Sequence, residues 1–158
     1  METETATRWL TEAEQCAWRT HLEVNRLLTY QLEKDLQPFG LTMNDYEILV
    51  NLSESEGVRM RMSDLASATL QSKSRLSHQI TRMENANLVR RENCESDRRG
   101  LYAVLTDHGM ETMRKVAPHH VSSVRQHFID LLSTEALAEL DKALTPIADH
   151  LREQRGRP

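Results

Sequence analysis

Residues 72–82 concentrate hydrogen-bond donors and positive charge on one side of a helix. Leu76, Ile80 and Met83 recur at i, i+4 and i+7 and so share an inward face. Lys73, Arg75, Ser77, His78, Thr81 and Arg82 then take the outward face, with Ser74 at its leading turn and Ser72 as the N-cap. That face carries cations and small hydroxyls and no acid, which suits an anionic partner rich in hydrogen-bond acceptors. A second cluster, Asp97, Arg98 and Arg99, falls at a polar turn between two stretches of strand formers.

Bond-breaking chemistry has little to work with. The chain has no G-x-G-x-x-G, no G-x-x-x-x-G-K-[ST], no H-E-x-x-H and no Ser or Cys nucleophile with an evident partner, so it is not expected to be an enzyme. Cys16 and Cys94 lie far apart without C-x-x-C spacing, which suggests neither a disulfide framework nor a zinc ribbon. Cys16 has Glu14, Gln15, Ala17 and Trp18 as neighbours and reads as a buried or inert thiol rather than a redox sensor. His119, His120 and His127 come without a carboxylate or thiolate cluster, so neither a metal site nor a cofactor is expected.

The elements that position these groups are mostly helices. Apolar residues at 18, 22, 28, 32, 36 and 39 describe one long helix from Trp18 to Phe39, stopped by Pro38 and Gly40. Thr42 and Asp45 form a T-x-x-D start for a second helix, which presents Tyr46, Leu49 and Leu52 on one face and stops at Gly57. Ser63 is the expected N-cap of a short helix ending near Leu70, followed by a tight turn and the helix of residues 72–82. Asn87 supplies the left-handed residue at that helix's end. LVRRENCE and LYAVLT flank ESDRRG as two strands of a hairpin, with Arg98 and Arg99 near its tip. Helix resumes at Asp107, and Pro118 is expected to start or kink a helix there. A last helix from Ser133 spaces Leu137, Leu140, Leu144, Ile147 and Leu151 as a 3-4-3-4 seam, although Pro146 interrupts its hydrogen-bond ladder.

At 158 residues, with 39% apolar and 4% aromatic side chains, five Gly and four Pro, the chain fits one domain and excludes an all-β sandwich or a collagen-like repeat. METETATRWLTEAEQ is acidic where a signal peptide would be basic and apolar, and no stretch approaches the ~20 apolar residues of a membrane span. A cytoplasmic protein without membrane contact is expected. The net charge of −4 counts against a polyanionic partner only until it is resolved along the chain. Residues 1–56 hold 4 basic and 11 acidic side chains (−7), residues 57–100 hold 9 and 5 (+4), and residues 101–158 hold 7 and 8 (−1). The positive segment coincides with the two short helices and the hairpin.

Two short helices followed by a β-hairpin make a winged helix-turn-helix, a mainly α (α+β) fold with a two-stranded β wing. The arrangement suits B-DNA, whose major groove of ~12 Å admits one helix and whose narrow minor groove attracts inserted arginines.

The strings LTMNDYEILVNL, SDLASATLQSKSRLSHQITRMENANLVRR and DRRGLYAVLTDHG resemble the MarR family of bacterial transcriptional regulators. In that family the wing has a D-x-R turn followed by a strand ending in L-T-x-x-G. Asp97, Arg99, Val104, Leu105, Thr106 and Gly109 match it here, and Asn87 replaces the glycine the family usually has before its L-V-x-R strand. The resemblance spans roughly residues 18–152. It implies a homodimer, held by the terminal helices of residues 1–40 and 107–158, that sets the winged helix-turn-helix of residues 41–106 on a palindromic operator in double-stranded DNA. The two recognition helices would meet half-sites ~34–36 Å apart. It further implies a repressor released by a small aromatic or phenolic ligand, an Asp97–arginine pair bracing the wing, and Arg99 or Arg98 in the minor groove. Trp18 reads first as dimer-interface core; alternatively Trp18 and His21 line the effector pocket. Two other functions stay open at this point, a winged-helix module that docks on protein and a cysteine redox-sensing regulator.

Overall fold

A computed structural model describes residues 7–94 and 97–155, with the side chains of 97–99 outside the description. In chain order its main elements are α1 (Glu12–Leu36), α2 (Met43–Glu54), β1 (Arg59–Arg61), α3 (Met62–Ala68), α4 (Lys73–Asn85), β2 (Val89–Cys94), β3 (Asp97–Leu105), α5 (Asp107–His127) and α6 (Thr134–Arg155). The mainly α winged helix-turn-helix expected from the sequence is the fold that forms.

Local chemistry sets the element ends. Thr42 and Asp45 close a capping box at α2, as their spacing predicts. A second box, Thr11 with Glu14, starts α1 at Glu12 rather than at Trp18, so the helix begins well before its apolar periodicity does. Ser72 caps α4 by accepting from the Arg75 N–H at 3.2 Å. Ser133 does the same for α6, accepting from the Ala136 N–H at 3.1 Å. Asn87 takes φ 57° after α4, the left-handed conformation its type tolerates.

Four expectations need correction. Ser63 does not cap α3: the N-cap position falls on Arg61, the last residue of β1, and the Ser63 hydroxyl donates to Asp64 Oδ1 at 3.1 Å. The sheet has three antiparallel strands in the order β1-β3-β2, because Arg59, Met60 and Arg61 pair with Val104, Ala103 and Tyr102. Three residues with arginine at both ends are too short and too polar to show strand alternation. β3 starts at Asp97, so Arg98, Arg99 and Gly100 belong to the strand and not to a turn. Pro118 does not start a helix; α5 runs through it, and its missing N–H falls on an exposed face.

One core holds α2, α3, α4 and the sheet. Ile48, Leu49, Leu52, Leu65, Leu76 and Ile80 are fully buried, and Leu36 of α1 and Val116 of α5 close its upper side. α5 lies against both α1 and α2. Its start is wedged against the sheet at Gly109, where an added Cβ would stand 2.0 Å from the Leu88 carbonyl oxygen. The terminal helices are otherwise largely exposed. Residues 12–27 of α1 are all exposed, with Trp18 at 53%, and α6 has no buried residue, with Ile147 at 55% and Leu151 at 61%. No helix among the described residues is long and apolar enough to cross a membrane.

Candidate nucleic-acid interface

α4 is a two-sided helix. Leu76, Gln79, Ile80 and Met83 are buried, while Ser72, Lys73, Ser74, Arg75, Ser77, His78, Thr81 and Arg82 are all exposed. The side chains of Lys73, Ser74, Arg75 and His78 make no hydrogen bond or ion pair among the described residues. They form an uncommitted donor surface over the first turns of the helix. Ser77, Thr81 and Arg82, read from sequence as part of the same surface, have intramolecular partners.

Arg82 is held by Asp45 of α2. Its Nη2 donates to Asp45 Oδ1 at 2.6 Å, and Gln79 Nε2 donates to the same oxygen at 3.1 Å. Asp45 Oδ2 accepts from the Thr42 N–H at 2.9 Å and from Thr42 Oγ1 at 2.8 Å. The Asp45 side chain is 1% exposed against 53% for Arg82. Burial alone would raise the Asp45 pKa. The hydrogen bonds from Thr42, Gln79 and Arg82 outweigh it and hold the carboxyl below its usual value, so it stays ionised.

The wing is tied to α4 through Arg91, which sequence reading counted as charge without giving it a role. Arg91 Nη2 donates to the Ser77 carbonyl at 2.7 Å, to Ser77 Oγ at 3.3 Å and to Thr81 Oγ1 at 3.1 Å. Nη1 pairs with Glu84, and the Arg91 N–H donates to Glu84 Oε1 at 2.8 Å. A cleft of about 380 Å³ remains between α3, the start of α4 and the sheet, lined by Arg61, Ser63, Lys73, Ser77, Arg91 and Leu101. On the sheet, Arg59 lies over the Tyr102 ring at 4.8 Å and Arg61 donates to Cys94 Sγ at 3.3 Å. The backbone sets Asp97 opposite Cys94 at the far end of β3, and Arg98 and Arg99 follow. The side chains of Asp97, Arg98 and Arg99 lie outside the described residues.

The remaining candidates sit on the long helices. Trp18 and His21 stack with centroids 5.8 Å apart and planes at 22°, on the exposed half of α1. They do not line the cleft of about 580 Å³ between α1 and α5, which holds Lys34, Asp35, His119, Ser123 and His127 and lies about 20 Å further along the helix. In that cleft Asp35 accepts from Ser123 and has His127 Nε2 at 3.3 Å. The carboxylate stands between hydroxyl and imidazole, so His127 is not placed as a base for Ser123. His120 packs on Tyr46 with ring centroids 4.4 Å apart; its Nδ1 is buried without a hydrogen-bond partner among the described residues, and burial lowers its pKa. Cys94 is buried, but Cys16 is exposed rather than buried, because residues 12–27 of α1 are left uncovered by the described residues. Leu137 and Leu140 of the α6 seam are half-buried and Leu144, Ile147 and Leu151 are exposed.

A helix-turn-helix with its donor face outward and a wing braced beside it defines the winged-helix class. Residues 39–100 match the MarR family. The chain is 88% identical to AbsC, a MarR family transcriptional regulator from Streptomyces coelicolor, with a TM-score of 0.89 over 93% of this chain and 99% of that one. It is 42% identical to Sco3205 from the same organism, a MarR family regulator solved in complex with DNA, with a TM-score of 0.88 over 93% and 92% of the two chains. The regulator PecS of Dickeya dadantii (strain 3937) is 27% identical over 129 residues, 81% of this chain and 77% of PecS. The chain belongs to the MarR family of transcriptional regulators.

Proposed function

We propose that the protein is a sequence-specific DNA-binding regulator that lays α4 in the major groove and the wing against the adjacent minor groove. The observation that carries this reading is the exposed set Lys73, Ser74, Arg75 and His78, without partners among the described residues, on a helix whose other side is locked in the core. Arg and Lys hydrogen-bond guanine edges, and small hydroxyls reach phosphates where the backbone comes close. Arg98 and Arg99, on the strand that leads from the wing tip, are assigned to the minor groove. The relative Sco3205, at 42% identity, was solved with DNA.

The working unit in this reading is a homodimer. α1 and α6 carry apolar stripes that include Trp18, Leu22, Leu144, Ile147 and Leu151, and their own protomer leaves them exposed. A second copy covers them and pairs two recognition helices with a palindromic operator. Repression in the cytoplasm and release by a small aromatic ligand complete the reading and rest on the family resemblance.

Binding to a duplex from around the protein's own gene, titrated with salt, tests the central statement. Affinity should fall linearly on a log–log plot as counterions are released, and should exceed that for a scrambled duplex. Binding that ignores salt sinks the proposal in favour of a protein-docking module. A thermal-shift screen of phenols and benzoates tests ligand release, since a binder of the folded state raises its apparent stability.

A further inference from the structure

We infer that Asp45 is the positioning residue of the recognition helix, and that Arg82 is one of its two grips rather than a reader of DNA. The inference rests on the proposal that α4 reads DNA. The apolar contacts that seat α4, through Leu76, Ile80 and Met83, are non-directional and resist a turn of the helix about its own axis only weakly. A helix with side chains has a radius of about 5–6 Å, so a turn of about 20° moves a side-chain tip by about 2 Å, enough to break a hydrogen bond to a base edge. Directional bonds must fix that angle: Arg91 grips the helix from the wing side, and a second set is needed on the side that faces α2.

Asp45 is placed to do so. Gln79 and Arg82 stand three residues apart, one turn of α4, and both donate to Asp45 Oδ1, at 3.1 and 2.6 Å. Two bonds from successive turns converging on one buried atom fix the rotation of the helix as well as its height. The other oxygen is fixed by Thr42 at the start of α2, so the carboxylate cannot follow α4 if it turns. α2 is itself tied to α1, because the Met43 N–H donates to Glu33 Oε2 at 2.9 Å. With both oxygens engaged, Asp45 fills its acceptor sites from Thr42, Gln79 and Arg82. A DNA phosphate that drew Arg82 away from Asp45 would break a charge-assisted hydrogen bond and leave a buried carboxylate without its cation.

The test compares Asp45→Asn, Arg82→Gln and the double variant with the wild-type dimer, each shown folded by circular dichroism. Affinities for an operator duplex and a scrambled duplex are measured across a salt series. Each single variant should lose about tenfold or more of the operator-over-scrambled ratio while keeping the wild-type salt slope and scrambled-duplex affinity. The two losses should not add in the double variant, because both break one clamp. A merely stabilising role would leave the ratio of the folded variants unchanged, and that result overturns the inference. So does a fall of about 1 in the salt slope with Arg82→Gln, or tighter binding of both duplexes with Asp45→Asn, since either marks Arg82 as a phosphate ligand. If Asp45→Asn does not fold, Arg82→Gln and Gln79→Met decide by the same readouts, because each leaves Asp45 its Thr42 bonds. A wild-type protein that binds no duplex in a salt-dependent way refutes the DNA-binding proposal first and takes this inference with it.

Discussion

The Arg91 guanidinium of β2 donates to the Ser77 carbonyl oxygen of α4 at 2.7 Å, across the gap between wing and recognition helix. Ser77 Oγ, Thr81 Oγ1 and Glu84 bind the same side chain, so three turns of α4 hold one wing residue. Replacing Arg91 by Ala leaves Glu84 without its cation and takes one donor from each of the Ser77 and Thr81 hydroxyls, the latter keeping its own bond to the Ser77 carbonyl. We expect a loss of about 2 kcal/mol in unfolding free energy, read from urea melts, because hydrogen bonds to charged groups contribute about 1.5–3 kcal/mol each and water recovers part of that here.

Arg75 and Lys73 should separate by mechanism. Arg75→Ala is expected to cost about 1–3 kcal/mol on the operator with relaxed preference at one base position, whereas Lys73→Ala should weaken all duplexes alike and lower the salt slope by about 1. Equal behaviour of the two variants would mean that neither reads a base.

Gly109→Ala tests the junction of α5 and the sheet. Its Cβ would meet the Leu88 carbonyl oxygen at 2.0 Å and Leu105 Cδ1 at 2.8 Å, both fixed by the core, so a loss of about 3 kcal/mol is expected in chemical denaturation. Gly57→Ala is the control. Its Cβ would make only ordinary contact with the Arg59 side chain, at 3.8 and 3.9 Å, and only the φ of 66° is strained, for about 1–2 kcal/mol.

His120 makes the fold sensitive to mild acid. Burial lowers its folded pKa below the ordinary 6.5, so the unfolded chain takes up a proton first as pH falls. Stability from this residue is complete above 6.5 and is lost as pH drops from 6.5 through the folded value. Urea midpoints at about pH 7 and about pH 5 should differ less in His120→Phe than in wild type. An unchanged difference would assign the sensitivity elsewhere.

Leu144→Glu places a charge in the exposed α6 seam. Its own protomer tolerates that, so the variant should fold and yet sediment as a monomer where wild type sediments as a dimer. A wild-type monomer at micromolar concentration would remove the proposed role of α1 and α6.

Features set by near neighbours were legible in the sequence. The Thr42–Asp45 start, the Ser72 cap, the two faces of α4, Asn87 at its end and the start of the last helix at Ser133 all depend on spacings of a few residues. Long-range pairings were not. Asp45 meets Arg82 across 37 residues of chain, and nothing local marks either as the other's partner. The same holds for Arg91, whose charge was counted but whose Ser77 contact needs the hairpin folded back. β1 was missed because pairing to β3, and not its own alternation, makes it a strand. Exposed Cys16 shows the converse, for an apolar stripe beside it says that something covers the helix without saying that the cover lies in the same chain.

Thr106 closes a joint where three elements meet. Its hydroxyl donates to the Asn87 carbonyl at 2.6 Å, just past α4, and accepts from the Gly109 N–H at 2.9 Å in α5, while its backbone continues β3. With Gly109 leaving no slack there, recognition helix, wing and α5 are joined at the base of the hairpin and are expected to tilt together. Over the 21 residues of α5, about 31 Å, a tilt of about 5° displaces the far end by about 3 Å. In the proposed dimer the gap between the two recognition helices then reduces to one mechanical coordinate, the inclination of α5.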